Sequence, residues 1–247
     1  MRLIFLSVLL LMTKITFAEP ILSIAVAANF EGTLQKLITT FQHEPHQSSV
    51  NIVISSASTG ELCAQIIHGA PYDLALLADK EHLVLLEKNG TTIPHTQWIY
   101  AIGKLVMWNP TTDHRLTRQD LIALTYSTSS KIALANPDFS PYGLAAKQTL
   151  QALHLWQKLY PQFVFGNSVS QATNFVATRN AKLGFIAYSE VLHDPYLWII
   201  PASLYSPLKQ YAVLLQHAKN HPDAWRFKAF MQSAKAKEII RKDGYGI

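Results

Sequence analysis

Short apolar runs alternate with stretches whose apolar residues fall three to four apart, and this alternation restricts the chain to one fold class. Leu22–Ala27 (LSIAVA) is apolar and bounded by polar residues, as expected of a buried strand. After Asn29, the spacing of Leu34, Leu37, Ile38 and Phe41 predicts an amphipathic helix. Val50–Ile54 predicts a second strand and Ser55–Gly60 a polar turn. Helical spacing resumes at Leu62, Ile66 and Ile67 and stops at Gly69-Ala70-Pro71. Leu74–Leu77 is a third strand, and a helix over Lys80–Lys88 is closed by Asn89-Gly90. Strand, helix, strand, helix, strand is the order of a parallel sheet covered by helices, an α/β architecture.

The second half repeats the theme. An apolar extended run covers Trp98–Trp108 and ends at Asn109-Pro110. Arg118–Leu124 is a short helix, Lys131–Ala135 a strand, and Asn136–Gly143 a loop before a helix through Leu144, Leu150 and Leu153. Phe163–Phe165, Leu183–Tyr188 and Tyr211–Leu215 are strands; Ser168–Arg179, Ala224–Gln232 and Ala234–Lys242 are helices. A crossing near Trp98–Ala101 and a return near Lys209–Ala212 divide the chain into lobe I (19–99 plus 212–247) and lobe II (100–211).

Residues 1–18 read as a secretory signal peptide rather than as fold. Arg2 precedes an apolar run from Leu3 to Met12 broken only by Ser7, and Lys14 and Thr16-Phe17-Ala18 follow. A spanning helix needs about 20 apolar residues, and Lys14 stops this run short. A lipid anchor would need a cysteine just after the signal, but the single cysteine is Cys63, which also excludes an intrachain disulfide. Cleavage after Ala18 removes Arg2 and Lys14, so the net charge falls from +5 to +3. With no Lys/Arg cluster, that charge is too small for a nucleic-acid binder.

Four times a strand or extended segment feeds a small polar loop that opens a helix: at Ala27-Ala28-Asn29, at Ala57–Gly60, at Pro141-Tyr142-Gly143 and at Asn167–Ser170. A helix start carries unpaired N–H groups and about half a positive charge, so several aimed at one cleft form an anion site without Lys or Arg. The blander reading is that each Asn, Ser or Thr simply caps its helix.

At these residues the sequence resembles the periplasmic molybdate-binding proteins of ABC uptake systems. The resemblance rests on Ala25–Phe30, Ser55–Gly60, Gly69–Asp73 with Ala78-Asp79, and Asn136–Gly143 followed by Ala145-Ala146-Lys147. Gly184–Ser189 and Lys242–Gly246 extend it over essentially the whole mature chain. It implies a two-lobed periplasmic-binding-protein fold, each lobe a mixed, mostly parallel sheet flanked by helices, joined by a two-strand hinge. It places oxyanion contacts at Ala28, Asn29, Ser58 with adjacent Thr59, Tyr142, Val169 and Tyr188. Tyr142 and Val169 act there through backbone N–H and Tyr188 through its hydroxyl. Many relatives carry Ser where this chain has Asn29. The resemblance implies a monomer that works with membrane permease subunits, with no cofactor and no direct metal ligand, molybdenum arriving as molybdate.

Molybdate and tungstate are proton-free tetrahedral dianions that only accept hydrogen bonds, and the matched positions offer amide, hydroxyl and carboxamide donors without a carboxylate. Sulfate or thiosulfate is equally acceptor-only, which leaves a sulfate-type binding protein as the alternative. A serine hydrolase using Ser58 is the alternative from another class, but Ser56-Ala57-Ser58-Thr59-Gly60 lacks the first glycine of a nucleophile elbow. Ser206-Pro207-Leu208-Lys209 matches Ser-x-x-Lys by count only. His217 and His221 are four apart, but Pro222 follows and no third ligand is near, so both read as surface residues. His43, His46 and His193-Asp194 read as loop residues, Lys147 as a surface charge, and Trp156, Tyr160, Trp198 and Trp225 as packing groups. Cys63 falls on the apolar side of its helix and reads as buried and inert. The expectation is an exported binding protein and not an enzyme.

Overall fold

In a computed structural model, residues 21–45, 50–127 and 129–247 are described; the segment expected to be a signal peptide and His46 lie outside them. The chain runs β1 (Leu22–Ala27), α1 (Glu31–Gln42), β2 (Ile52–Ala57), α2 (Thr59–Ile67), β3 (Leu74–Leu77), α3 (Lys80–Lys88) and β4 (Trp98–Ile102). It then enters β5 (Leu105–Trp108), α4 (Arg118–Ala123), β6 (Ile132–Ala135), α5 (Pro141–Ala152), α6 (Trp156–Leu159), β7 (Phe163–Gly166), α7 (Val169–Ala177), β8 (Leu183–Ala187) and β9 (Trp198–Ile199). It closes with β10 (Lys209–Leu214), α8 (Pro222–Met231) and α9 (Ala234–Lys242).

These strands form two five-stranded sheets, ordered β2-β1-β3-β10-β4 and β7-β6-β8-β5-β9. In the first, β2, β1 and β3 are parallel and β10 runs against β3 and β4. In the second, β7, β6 and β8 are parallel and β5 runs against β8 and β9. The molecule is therefore two lobes, each a mixed sheet with its own core. The chain changes sheet between Ile102 and Leu105 and again between Ile199 and Lys209.

Strand alternation supplies helices to both faces of the first sheet. On β1, Leu22, Ile24 and Val26 pack with Leu34, Leu37 and Phe41 of α1 and with Phe227 and Ile240 of α8 and α9. Ala25, on the opposite face, packs with Leu62 and Cys63 of α2 and Leu83 and Leu86 of α3. Cys63 is 1% exposed and burial pushes its thiol up to about 11, which keeps it protonated and unreactive. In lobe II, β6 and β8 pack against Tyr142, Ala146 and Leu150 of α5 and Val169, Ala172 and Val176 of α7.

Ser55–Ala57, expected as turn, continues β2: parallel pairing with β1 runs through Ala27 opposite Ala57 and overrides the polar composition. The apolar run Trp98–Trp108 is two strands in different sheets, interrupted at Gly103-Lys104. Of the aromatic residues expected to pack, Trp156 and Trp198 do so against the lobe II core, whereas Tyr160 and Trp225 are 53% and 41% exposed.

Candidate functional site

Register fixes where the site can form. Ala27 pairs with Ala57, so β1 and β2 end level and release Ala28-Asn29 and Ser58-Thr59 side by side. Ala135 likewise pairs with Gly166, so β6 and β7 release the segments leading to Tyr142 and Val169 together. Both pairs leave the carboxyl ends of their strands, where open α/β sheets bind ligands.

The four segments meet between the lobes around a small pocket of about 10 Å3. Ala28, Asn29, Ser58 and Thr59 line it from lobe I, and Tyr142, Val169, Ser140 and Ser168 from lobe II. Six of the seven expected site residues thus come together. Tyr188 does not line this pocket: it follows β8 in a 3-10 turn, beneath the Lys104 ammonium (5.5 Å) and in the path of a Cβ at Gly244. Among the described residues, none lining the pocket carries a formal charge.

The caps and the site share the same residues without conflict. Ser58, Ser140 and Ser168 are the N-caps of α2, α5 and α7, and their hydroxyl oxygens accept the amides of Glu61 (3.4 Å), Gly143 (3.5 Å) and Gln171 (3.2 Å). Those are third-position amides. The earlier amides, Thr59 and Val169 at the first helical position and Tyr142 at the second, have no acceptor within their own helices. Ala28 and Asn29 likewise open a 3-10 turn. Three first turns and this turn converge, so their partial positive charges add within one small volume.

The side chains do less than the sequence suggests. The Ser58 amide and hydroxyl both donate to Glu61 Oε2, at 3.1 and 2.9 Å, completing a capping box. Thr59 Oγ1 accepts the Ala78 amide at 3.1 Å. The Asn29 carboxamide, expected as a ligand donor, gives its two N–H bonds to Gln210 Oε1 and Tyr245 Oη, both at 3.1 Å. Its contribution to the pocket wall is therefore its backbone. Ser140, Ser168, Gly103 and Gln210 were missed as participants; Ser140 before Pro141 carried a visible N-cap signal, whereas Gln210 in an apolar strand carried none.

Across the cleft, the Gly60 amide donates to Phe139 O at 3.1 Å. A Cβ at Gly60 would lie 3.1 Å from that oxygen and 3.2 Å from Phe139 Cα, both backbone atoms. Gly60→Val is expected to hold the lobes apart, seen as a larger radius of gyration in X-ray scattering than the unsubstituted protein gives under the same conditions.

Glu190 sits behind α7, where it accepts from Ser170 Oγ at 2.6 Å and from Thr173 Oγ1. Burial pushes its carboxyl up, against the pull of those two hydroxyls. The folded protein therefore keeps a proton that the unfolded chain releases, and stability falls as pH rises from the ordinary glutamate range through the raised folded value. Thermal melts of Glu190→Gln across that window are expected to show a flatter pH dependence than the parent.

The histidine reading needs one correction. His217 does pair at the surface, Nδ1 to Asp73 Oδ1 at 2.7 Å, but His221 is 8% exposed and bonds Ile21 O at 3.2 Å. It flanks the start of α8, and the two histidines bond different partners. Among the described residues no cluster of three or more His, Cys, Asp or Glu could hold a metal ion, and no helix is long and apolar enough to cross a membrane.

The sequence profile of a family described as bacterial extracellular solute-binding proteins matches residues 22–246. The chain belongs to that family. The molybdate-binding protein ModA of Azotobacter vinelandii is 36% identical over 229 residues, covering 91% of this chain and 89% of that one. ModA of Rhodobacter capsulatus is 34% identical over 223 residues, covering 90% and 86%. The solved periplasmic molybdate-binding protein of Azotobacter vinelandii superposes with a TM-score of 0.83 at 34% identity, covering 92% of this chain and 99% of that chain. The two-lobed periplasmic-binding-protein fold is thus that of the family. Its members are solute-binding proteins and not enzymes, so the hydrolase alternative falls, and this solute-binding protein's Ser58 is a helix cap rather than a nucleophile.

Proposed function

We propose that this solute-binding protein captures molybdate, and also tungstate, between its lobes and delivers it to the permease subunits of an ABC importer. One observation carries the reading: amide-bearing first turns from both lobes line one small pocket without a charged side chain. That donor set suits an anion with no proton to donate. Hydrogen phosphate would find no carboxylate to take up its O–H. The molybdate-binding relatives at 34–36% identity support the same ligand.

In this reading Ala28, Asn29, Thr59, Tyr142 and Val169 donate through backbone N–H. Ser58 turns its hydroxyl proton from Glu61 to the anion while its oxygen still accepts the Glu61 amide. Ser58→Ala is expected to weaken binding by about 1–3 kcal/mol, the worth of one hydrogen bond to a charged group. Tyr188, outside the pocket wall, is the weakest of the assigned residues. Tyr188→Phe is expected to change affinity less than Ser58→Ala, and calorimetry on the pair checks the order. The protein acts as a periplasmic monomer after loss of residues 1–18. Its lobes hinge on the two crossings, near residues 99–104 and 205–212.

A thermal-shift panel of molybdate, tungstate, sulfate, thiosulfate, phosphate and chromate on the mature protein tests the reading. A ligand at a hundred times its Kd adds about 2.7 kcal/mol to the stability of the native state. Molybdate and tungstate are expected to raise Tm at micromolar concentration. A larger rise with sulfate or thiosulfate moves the protein to the sulfate-type alternative, and no rise with any oxyanion removes the pocket assignment.

A further inference from the structure

A buried polar network lies beneath the pocket, and neither the helix caps nor the ligand reading accounts for it. Gln210, on β10 at the return crossing, is fully buried. Its Oε1 accepts from Asn29 Nδ2 at 3.1 Å, just after β1, and from Tyr100 Oη at 2.8 Å, on β4, both carried by the first sheet. Its Nε2 donates to Tyr142 Oη of lobe II at 3.3 Å. Asn29 and Tyr142 are themselves pocket-lining residues, one from each lobe. A second strand of the network joins the lobes from the C-terminus: Tyr245 Oη donates to Asn29 O at 2.5 Å and lies 2.9 Å from Ser189 Oγ, which donates to the same carbonyl at 3.1 Å. Room for the network is made at the other crossing, since a Cβ on Gly103 would overlap the Tyr142 hydroxyl and lie 2.9 Å from Gln210 Nε2.

We propose that Gln210 is a positioning residue that couples the hinge to the pocket, its carboxamide holding Asn29 of lobe I and Tyr142 of lobe II in the mutual placement that aligns their backbone amides on one anion. The chemistry requires a neutral amide with both a donor and an acceptor. The acceptor serves two donors fixed to the first sheet, and the donor serves one hydroxyl fixed to α5. When the lobes part, the Tyr142 bond breaks and Gln210 loses a partner in a buried site, which biases the lobes toward contact. The ligand part of this inference rests on the oxyanion reading above; the hinge part does not.

The test uses full-length mature protein in a Cys63→Ala background, with spin labels at Lys88→Cys and Lys158→Cys, one exposed position per lobe. Gln210→Met keeps the length of the side chain and removes the carboxamide, and Tyr142→Phe removes only the hydroxyl. Without ligand, each is expected to move the interlobe distance distribution to longer, broader values than the parent. With sodium molybdate, each is expected to raise Kd at least fivefold, mainly through faster release, and the double variant is expected to be no worse than Gln210→Met alone. A role confined to stability would lower Tm and leave both distances and Kd at parent values, which overturns the proposal. Additive losses in the double variant also overturn it. Failure of the unsubstituted protein to bind molybdate overturns the oxyanion reading alone, and the ligand-free distances then decide the coupling.

Discussion

Val169→Pro is expected to weaken molybdate binding roughly ten- to a hundredfold at only a modest cost in ligand-free stability. Proline at the first helical position is well tolerated, because the N–H it lacks has no acceptor within the helix. Ser168, the residue before it, already has φ −133° and ψ 167°, the extended geometry that a following proline demands. The substitution therefore deletes one amide proton from the pocket wall, and it also replaces the side chain that Val169 buries in the lobe II core, which adds a modest loss of stability. A hydrogen bond to a charged acceptor contributes about 1.5–3 kcal/mol, which sets the range of the loss. Isothermal titration with molybdate gives the Kd, and a melt without ligand gives the control. An unchanged Kd removes the α7 amide from the site.

Gly103→Ala should produce the second large effect, for the opposite reason: it adds an atom where none fits. The new Cβ would overlap the Tyr142 hydroxyl and lie 3.0 Å from Tyr142 Cζ. Tyr142 is 1% exposed and belongs to the lobe II core, so its ring has nowhere to retreat. Overpacking of this kind costs about 1–3 kcal/mol, and here the displacement passes along α5 to the Tyr142 amide in the pocket. Both Tm and molybdate affinity are expected to fall. Adding Tyr142→Phe removes the oxygen that the methyl meets, so the double variant is expected to regain most of the lost Tm. If Tm stays low in the double variant, the clash lies elsewhere.

The sequence was most readable where one period dominates. β1, β3, α1, α3 and α9 fall where apolar spacing puts them, because each helix buries one face, and each strand both faces, against neighbouring layers. It misled at Ser55–Ala57, where the ladder to β1 outweighs a turn-like composition. It also hid the break at Gly103-Lys104, because an apolar run looks the same whether it serves one sheet or two. The site follows the same division. Helix starts are local signals, so the loops that bring Ser58, Tyr142 and Val169 to the pocket wall could be read from the sequence. The use of each donor is a tertiary fact: the Asn29 carboxamide is committed to Gln210 and Tyr245, residues 181 and 216 positions away, and no local pattern encodes that. Tyr188 shows the same limit, because a tyrosine after a buried strand gives no sign of which side of its turn faces the cleft.

The uncharged pocket wall has an outward consequence for a member of a family of extracellular solute-binding proteins. A site built on lysine or arginine would lose affinity as surrounding electrolyte rose, because mobile ions screen exposed charges over about 10 Å at 0.1 M. Fixed amide dipoles enclosed between two protein masses offer that atmosphere little to act on. Anion capture should therefore hold steady as the saltiness of the surroundings swings.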